Sequence, residues 1–110
     1  MRGGVALLAV VAALGIAGCA GGGPGQADRD RAVTEAALAY HRAKASGKNL
    51  DRGPCISEAL PGLPDWVVDV AHDPRQPVDD KPANQCRRYR LAEAQHFVEL
   101  DPGGKLIRAQ

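Results

Sequence analysis

Residues 66–71 read Trp-Val-Val-Asp-Val-Ala (WVVDVA), and they decide the fold class of the chain. Four of the six are Trp or Val, types that suit a pleated surface, and turn-forming residues bound the run on both sides. A strand here places Trp66, Val68, Val70 and His72 on one face, with Val67, Asp69 and Ala71 on the other. If Trp66 is buried it anchors the core; if exposed, it marks an interface.

Upstream, Lys48 to Pro64 is rich in turn residues, and within it Cys55 to Leu60 predicts a short strand or one helical turn ended by Pro61. Before that, Asp28 to Ser46 predicts the one long helix. Asp28 and Asp30 complement its N-terminal dipole, Arg42 and Lys44 sit near the other end, and Gly47 is placed to terminate it. Val33, Ala36, Ala37 and Tyr40 recur at helical spacing as a packing stripe, whereas His41 at its edge reads as solvated.

Downstream, His72 to Gln85 carries three prolines and no periodicity. Long ordered loops in compact domains are disproportionately functional, which makes this segment a candidate binding surface. Arg87 to Arg90 and then Gln95 to Leu100 predict one or two further strands. Val98 and Leu100 share a face there, with His96 beside them. Asp101-Pro102-Gly103-Gly104 is a tight turn leading into a last strand at Lys105 to Arg108. The predicted fold is α+β: one N-terminal helix packed on a small antiparallel sheet.

The N-terminus has a different character. Arg2 precedes an apolar run from Val5 to Ala17, which at ~1.5 Å per helical residue is too short to cross a hydrocarbon core of ~30 Å. It reads as the apolar region of an export signal over residues 1–18. The Ile16-Ala17-Gly18-Cys19 that follows resembles the lipobox of bacterial lipoproteins. That resemblance implies cleavage before Cys19, thioether lipidation of its thiol and acylation of its new amino group. Several acyl chains at ~0.8 kcal/mol per buried methylene then hold a protein at a membrane without a spanning helix. The localisation implied is the extracytoplasmic face of a cell membrane, with residues 19–27 as lipidated cysteine and flexible tether and residues 28–110 as the domain.

With Cys19 set aside for lipid, Cys55 and Cys86 remain as an even pair in a compartment where disulfides persist. A bridge closing a loop of this length stabilises a fold by roughly 3–4 kcal/mol in the chain-entropy picture. A domain this small gains much from such a cross-link.

Composition narrows the function classes. The chain has 14 Lys and Arg against 13 Asp and Glu, and loss of Arg2 with the signal leaves 13 of each. A sequence-neutral nucleic-acid binder needs surplus positive charge, so no nucleic-acid partner is expected. Ser46 and Ser57 lie in turn-rich contexts with no GxSxG elbow. Gly21 to Gly25 lacks the Lys-Ser/Thr of a phosphate loop. Asp79 and Asp80 read as solvated loop charges. No enzyme activity and no cofactor are expected.

Two sets of residues remain as candidates for binding. His72, Asp73 and His96 form a metal site if the strand ends that carry them converge, although no ligand spacing of the HExxH kind supports one. The second set is the loop and the basic cluster after it: His72, Asp73, Arg75, Arg88 and Arg90. Guanidinium groups there receive a carboxylate or phosphate from a partner, or pair with Asp69, Asp73 or Asp79 across the sheet. The segment His96 to Ile107 (HFVELDPGGKLI) is similar to the closing hairpin of PepSY-type domains, and the helix-then-sheet order is similar to PepSY and cystatin-type modules. That resemblance implies a secreted inhibitory or protein-binding module. Two function classes follow: a membrane-anchored envelope module that binds another protein, and an extracytoplasmic metal- or small-ligand-binding protein using His72, Asp73 and His96.

Overall fold

A computed structural model describes residues 23–110; the export signal expected over 1–18 and the expected lipidation site Cys19 lie outside the described residues. The first element is helix α1, Gln26–Ala45. It is rich in alanine, the residue with the highest helix propensity. It ends as expected, with the Gly47 N–H donating to the Lys44 carbonyl at 3.1 Å and the Lys48 N–H to the Ala43 carbonyl at 3.1 Å. Its buried stripe is Ala32, Ala36, Ala39, Tyr40 and Ala43. The stripe is therefore rotated slightly from the one expected: Ala37 is exposed and Val33 half-buried, while His41 lies in solvent. Small alanines let the helix sit close to the sheet beneath it.

That sheet has four strands in the order β1 (Cys55–Ser57), β2 (Trp66–Val70), β3 (His96–Leu100) and β4 (Leu106–Ala109). The outer pairs, β1 with β2 and β3 with β4, are antiparallel as expected. The central pair is parallel, with Trp66 opposite His96 and Val70 opposite Leu100, so the sheet is mixed. The reason lies in Arg87–Arg90, expected as a strand. It forms a four-residue helical turn, α2, none of whose residues is buried. A strand in a packed sheet must bury alternate residues, which three arginines around one tyrosine do not supply. The connection from residue 71 to residue 95 instead acts as a crossover, long enough to bring the chain back to the start of a parallel neighbour.

The alternation read from WVVDVA holds. Trp66, Val68 and Val70, with Val98 and Leu100 from β3, form the core under α1 together with Tyr40, Leu50, Leu60 and Leu63. Trp66 is 2% exposed and its ring lies 4.9 Å from that of His96, its cross-strand partner. It is the core anchor. The opposite face carries a smaller cluster of Val67, Cys86 and Ala94, with Cys55 and Phe97 packed against it. The Cys55–Cys86 disulfide forms here and ties the first strand to the residue before α2. Among the described residues no helix is long and apolar enough to cross a membrane.

Candidate functional site

Helix α1 covers one face of the sheet. The other face is open, and the strand registers set out its rows. Asp69 pairs with Glu99, and Glu99 with Arg108 across the β3–β4 hairpin. The neighbouring row is Val67, Phe97 and Gln110, since Val67 pairs with Phe97 and the Phe97 and Gln110 backbones exchange hydrogen bonds at 2.8 and 3.0 Å. Above these rows the 71–86 connection contributes Arg75 and Gln85, and α2 contributes Tyr89 and Arg90. Together they enclose a groove of about 470 Å³ whose wall also includes Cys86. Tyr89 meets the Phe97 ring edge-on at 5.1 Å, and the Arg108 guanidinium lies 5.8 Å from the centre of that ring.

Two carboxylates at the base of the groove have opposite surroundings. Glu99 is buried, and each of its oxygens has a cation: Arg75 Nη1 donates to Oε2 at 2.9 Å and Arg108 Nε to Oε1 at 3.3 Å. Asp69 has neither. Its Oδ1 is buried without a hydrogen-bond partner among the described residues. Burial pushes the Asp69 carboxyl up to about 7, the adjacent Glu99 charge acts in the same direction, and Arg75 offsets only part of both. Asp69 therefore holds and releases a proton near neutral pH, while Glu99 is fixed between two arginines.

The loop that roofs the groove is organised by Asp79. Expected as a solvated charge, it is 1% exposed. Its Oδ2 accepts from the His72 and Gln76 backbone N–H groups at 3.0 and 2.8 Å, and its Oδ1 lies 2.9 Å from His72 Nδ1. Burial alone would raise its pKa, yet the two backbone donors and the His72 ring outweigh that and hold the carboxyl below the ordinary range. Gly53, at φ +64°, makes room: a Cβ there would collide with Asp79 Oδ1. Asp80, by contrast, is exposed as expected and accepts from Arg75 Nη2 at 3.0 Å.

The residues singled out from sequence therefore divide. Arg75 and Arg90 line the groove. His72 is occupied by Asp79, and Asp73 is exposed beside it. Arg88 binds neither a partner-facing surface nor the expected aspartates: its Nη1 donates to the Glu58 and Pro64 carbonyls at 2.6 and 2.8 Å. The Glu58 carboxylate in turn accepts from the Arg87 and Arg88 backbone N–H groups at 2.6 and 2.9 Å, capping α2.

His72, Asp73 and His96 do not converge. His96 begins β3 opposite Trp66, whereas His72 follows the far end of β2, a separation along the strands of roughly 20 Å at ~3.3 Å per residue. His96 Nε2 instead lies 3.5 Å from Asp65. The potential metal ligands that do cluster among the described residues are Cys55, Glu58 and Cys86, and both sulfurs are consumed by the disulfide.

Sequence reasoning missed Asp69, Glu99, Tyr89 and Arg108 as groove residues. The available signal was one acid inside each of two apolar strands, WVVDV and HFVEL, both on the face opposite the core. Comparison of the chain with protein-family models, with curated proteins and with solved structures finds no match.

Proposed function

We propose that this chain is a bacterial lipoprotein that presents a small, non-enzymatic binding module at the extracytoplasmic face of a cell membrane. In this reading Cys19 carries the lipid, the uncharged stretch that precedes α1, residues 20–25, is the tether, and another envelope protein is the partner. The observation that carries it is the groove on the uncovered sheet face, floored by Val67 and Phe97 and rimmed by Arg75, Tyr89, Arg90 and Arg108. Aromatic and arginine side chains around a concave patch are the residue types that dominate protein interfaces. The likeness of residues 96–107 to the closing hairpin of PepSY-type domains points the same way. The candidate surface thereby narrows from the whole 72–90 segment to the side of it that faces the sheet. Asp79 and the disulfide hold that side in place before a partner arrives, which lowers the ordering cost of binding.

The test is site-specific photo-crosslinking in the native cells. A crosslinking residue at Tyr89, which is 43% exposed at the groove, is compared with one at Leu38, which is 48% exposed on the helix side. The expected result is a discrete product from position 89, none from position 38, and loss of both the product and membrane association in Cys19→Ser. Identical products from the two positions, or membrane association unchanged in Cys19→Ser, would overturn the corresponding half of the proposal.

A further inference from the structure

The groove combines three features that the fold itself does not require. Asp69 Oδ1 is buried beneath it without a hydrogen-bond partner among the described residues. The Arg90 guanidinium at its rim has no carboxylate within ion-pair distance among the described residues, whereas Arg75 and Arg108 are both engaged with Glu99. Between them lies an apolar floor of Val67 and Phe97, flanked by Tyr89. We propose that the groove captures the C-terminal residue of a partner protein. Arg90 receives the terminal carboxylate, the Asp69 carboxyl donates a hydrogen bond to it, and an apolar terminal side chain lies on Val67 and Phe97. This rests on the reading of the chain as a protein-binding module.

Charge complementarity selects an anion. Both oxygens of Glu99 are already occupied by arginines, so below the titration of Asp69 the groove offers a free guanidinium and a carboxylic acid hydrogen to an anion. A guanidinium matches a carboxylate in a planar two-bond geometry, and a carboxylic acid donating to a carboxylate makes a short charge-assisted hydrogen bond. The groups facing Asp69 are Glu99 from β3, Arg108 from β4, Arg75 and Asp79 from the 71–86 connection, and Tyr89 and Arg90 from α2. From β1 it meets only Cys55, which is locked in the disulfide and does not titrate. The volume of about 470 Å³ lies in the range of small-ligand pockets, ~300–1,000 Å³, which suits one terminal residue. A second consequence is proton dependence. Once Asp69 ionises, its negative charge faces the incoming carboxylate with no hydrogen to share, so binding weakens by roughly tenfold per pH unit above its titration.

The experiment is an NMR titration of the isotopically labelled full chain in detergent micelles at pH 6 and pH 8. The probes are N-acetyl-phenylalanine, its C-terminal amide and 3-phenylpropanoate. The expected result is that N-acetyl-phenylalanine shifts the amide signals of Val67, Asp69, Phe97 and Glu99 at pH 6. The amide probe should not shift them, and affinity should fall at least tenfold at pH 8. Arg90→Gln should lower affinity by tenfold or more while leaving Trp66 fluorescence native. Asp69→Asn, whose amide donates at every pH, should bind equally at both. Equal binding of the amide probe, or no groove shift with any probe, overturns the proposal. Tighter binding of 3-phenylpropanoate than of N-acetyl-phenylalanine overturns the protein source and assigns the groove to a small free acid. A crosslink from position 89 in cells alongside no carboxylate binding in vitro would retain the binding module and remove only its C-terminal specificity.

Discussion

Replacing Asp79 tests whether one buried carboxylate organises the whole roof of the groove. In Asp79→Ala two backbone donors, the N–H groups of His72 and Gln76, lose their acceptor, and the His72 ring loses its partner. Hydrogen bonds to a charged group contribute ~1.5–3 kcal/mol each, and an orphaned buried donor costs ~1–3 kcal/mol. Gln76 is exposed and His72 only half-buried, so water reaches both once the side chain is gone and the lower ends of these ranges apply. The expected loss is about 3–4 kcal/mol, a large part of the ~5–15 kcal/mol that holds a typical domain together. Asp79→Asn is the discriminating control. Its carbonyl oxygen can stand at Oδ2 and keep both backbone bonds, while its amide takes the place of Oδ1 beside His72 Nδ1, for an expected loss of about 1 kcal/mol. The two also differ in acid. Because the folded carboxyl lies below its ordinary value, the native chain draws stability from it above the unfolded carboxylate range of ~3.9, and loses that stability as pH falls through the folded value. The Asn variant lacks this acid-sensitive component. Urea unfolding followed by Trp66, the only tryptophan of the chain, reads both effects, since its ring is buried in the native core. An Ala variant within about 1 kcal/mol of native, or an Asn variant as unstable as Ala, would refute the claim that acceptor geometry holds the loop.

Three further predictions are independent of that one. Asp69 has the opposite linkage: its folded carboxyl is raised to about 7, so native stability should decline as pH climbs from the unfolded value toward 7 and then level off. Asp69→Asn should abolish the decline in urea midpoints measured from pH 4 to 8; a decline that survives the substitution assigns it to another group. Glu58→Ala removes the acceptor for the Arg87 and Arg88 N–H groups and should cost about 1–2 kcal/mol, with faster amide exchange concentrated in residues 87–91. Exchange rates there equal to the native ones would remove Glu58 as the cap. Gly104→Ala places a Cβ 2.8 Å from the Tyr40 ring at φ +90°, so it should destabilise by about 1–2 kcal/mol and break the Tyr40 hydroxyl bond to the Pro102 carbonyl, now 2.8 Å. A neutral effect on thermal unfolding would show that the turn relaxes without moving Tyr40.

Periodicity made the scaffold legible. A run of Trp and Val between turn residues defines β2 and its two faces, and an alanine-rich segment ending at Gly47 defines α1. Asp-Pro-Gly-Gly defines the β3–β4 turn, and Cys55 and Cys86, an even pair once Cys19 is set aside, define the bridge. Each is local, or follows from counting. The parallel pairing of β2 with β3 is neither. It depends on whether residues 71–95 return the chain to the near or far end of β2, and that is settled by contacts remote in sequence: Cys86 to Cys55, the Glu58 carboxylate on α2, and Arg88 on the Glu58 and Pro64 carbonyls. An antiparallel hairpin is the default for neighbouring strands, and although three arginines around one tyrosine argue against a strand at 87–90, they do not fix the direction of β3.

The groove illustrates the same limit at the level of single side chains. Asp69 and Asp79 are both removed from water, and from sequence the first is an acid in an apolar strand and the second an acid in a polar loop. The polar loop around Asp79 suggests an ordinary solvated charge, and the structure places that carboxylate in the interior instead. Asp79 is the more deeply buried of the two, yet it is held ionised because two backbone N–H groups and a ring nitrogen converge on it. Asp69 keeps more exposed surface, but burial of its carboxyl is the largest cause of its rise, Glu99 stands beside it and its Oδ1 has no hydrogen-bond partner among the described residues, so its proton is retained to near neutrality. What separates them is desolvation and the Glu99 charge at Asp69 against converging donors at Asp79, a balance that the tertiary structure assigns and a sequence window does not contain. Burial sets how much an unpaired charge costs, and donors decide whether the charge is there at all. A carboxylate oxygen left without a partner at the base of a groove is where an incoming ligand gains most, because the hydrogen bond it completes is one the fold has left unmade.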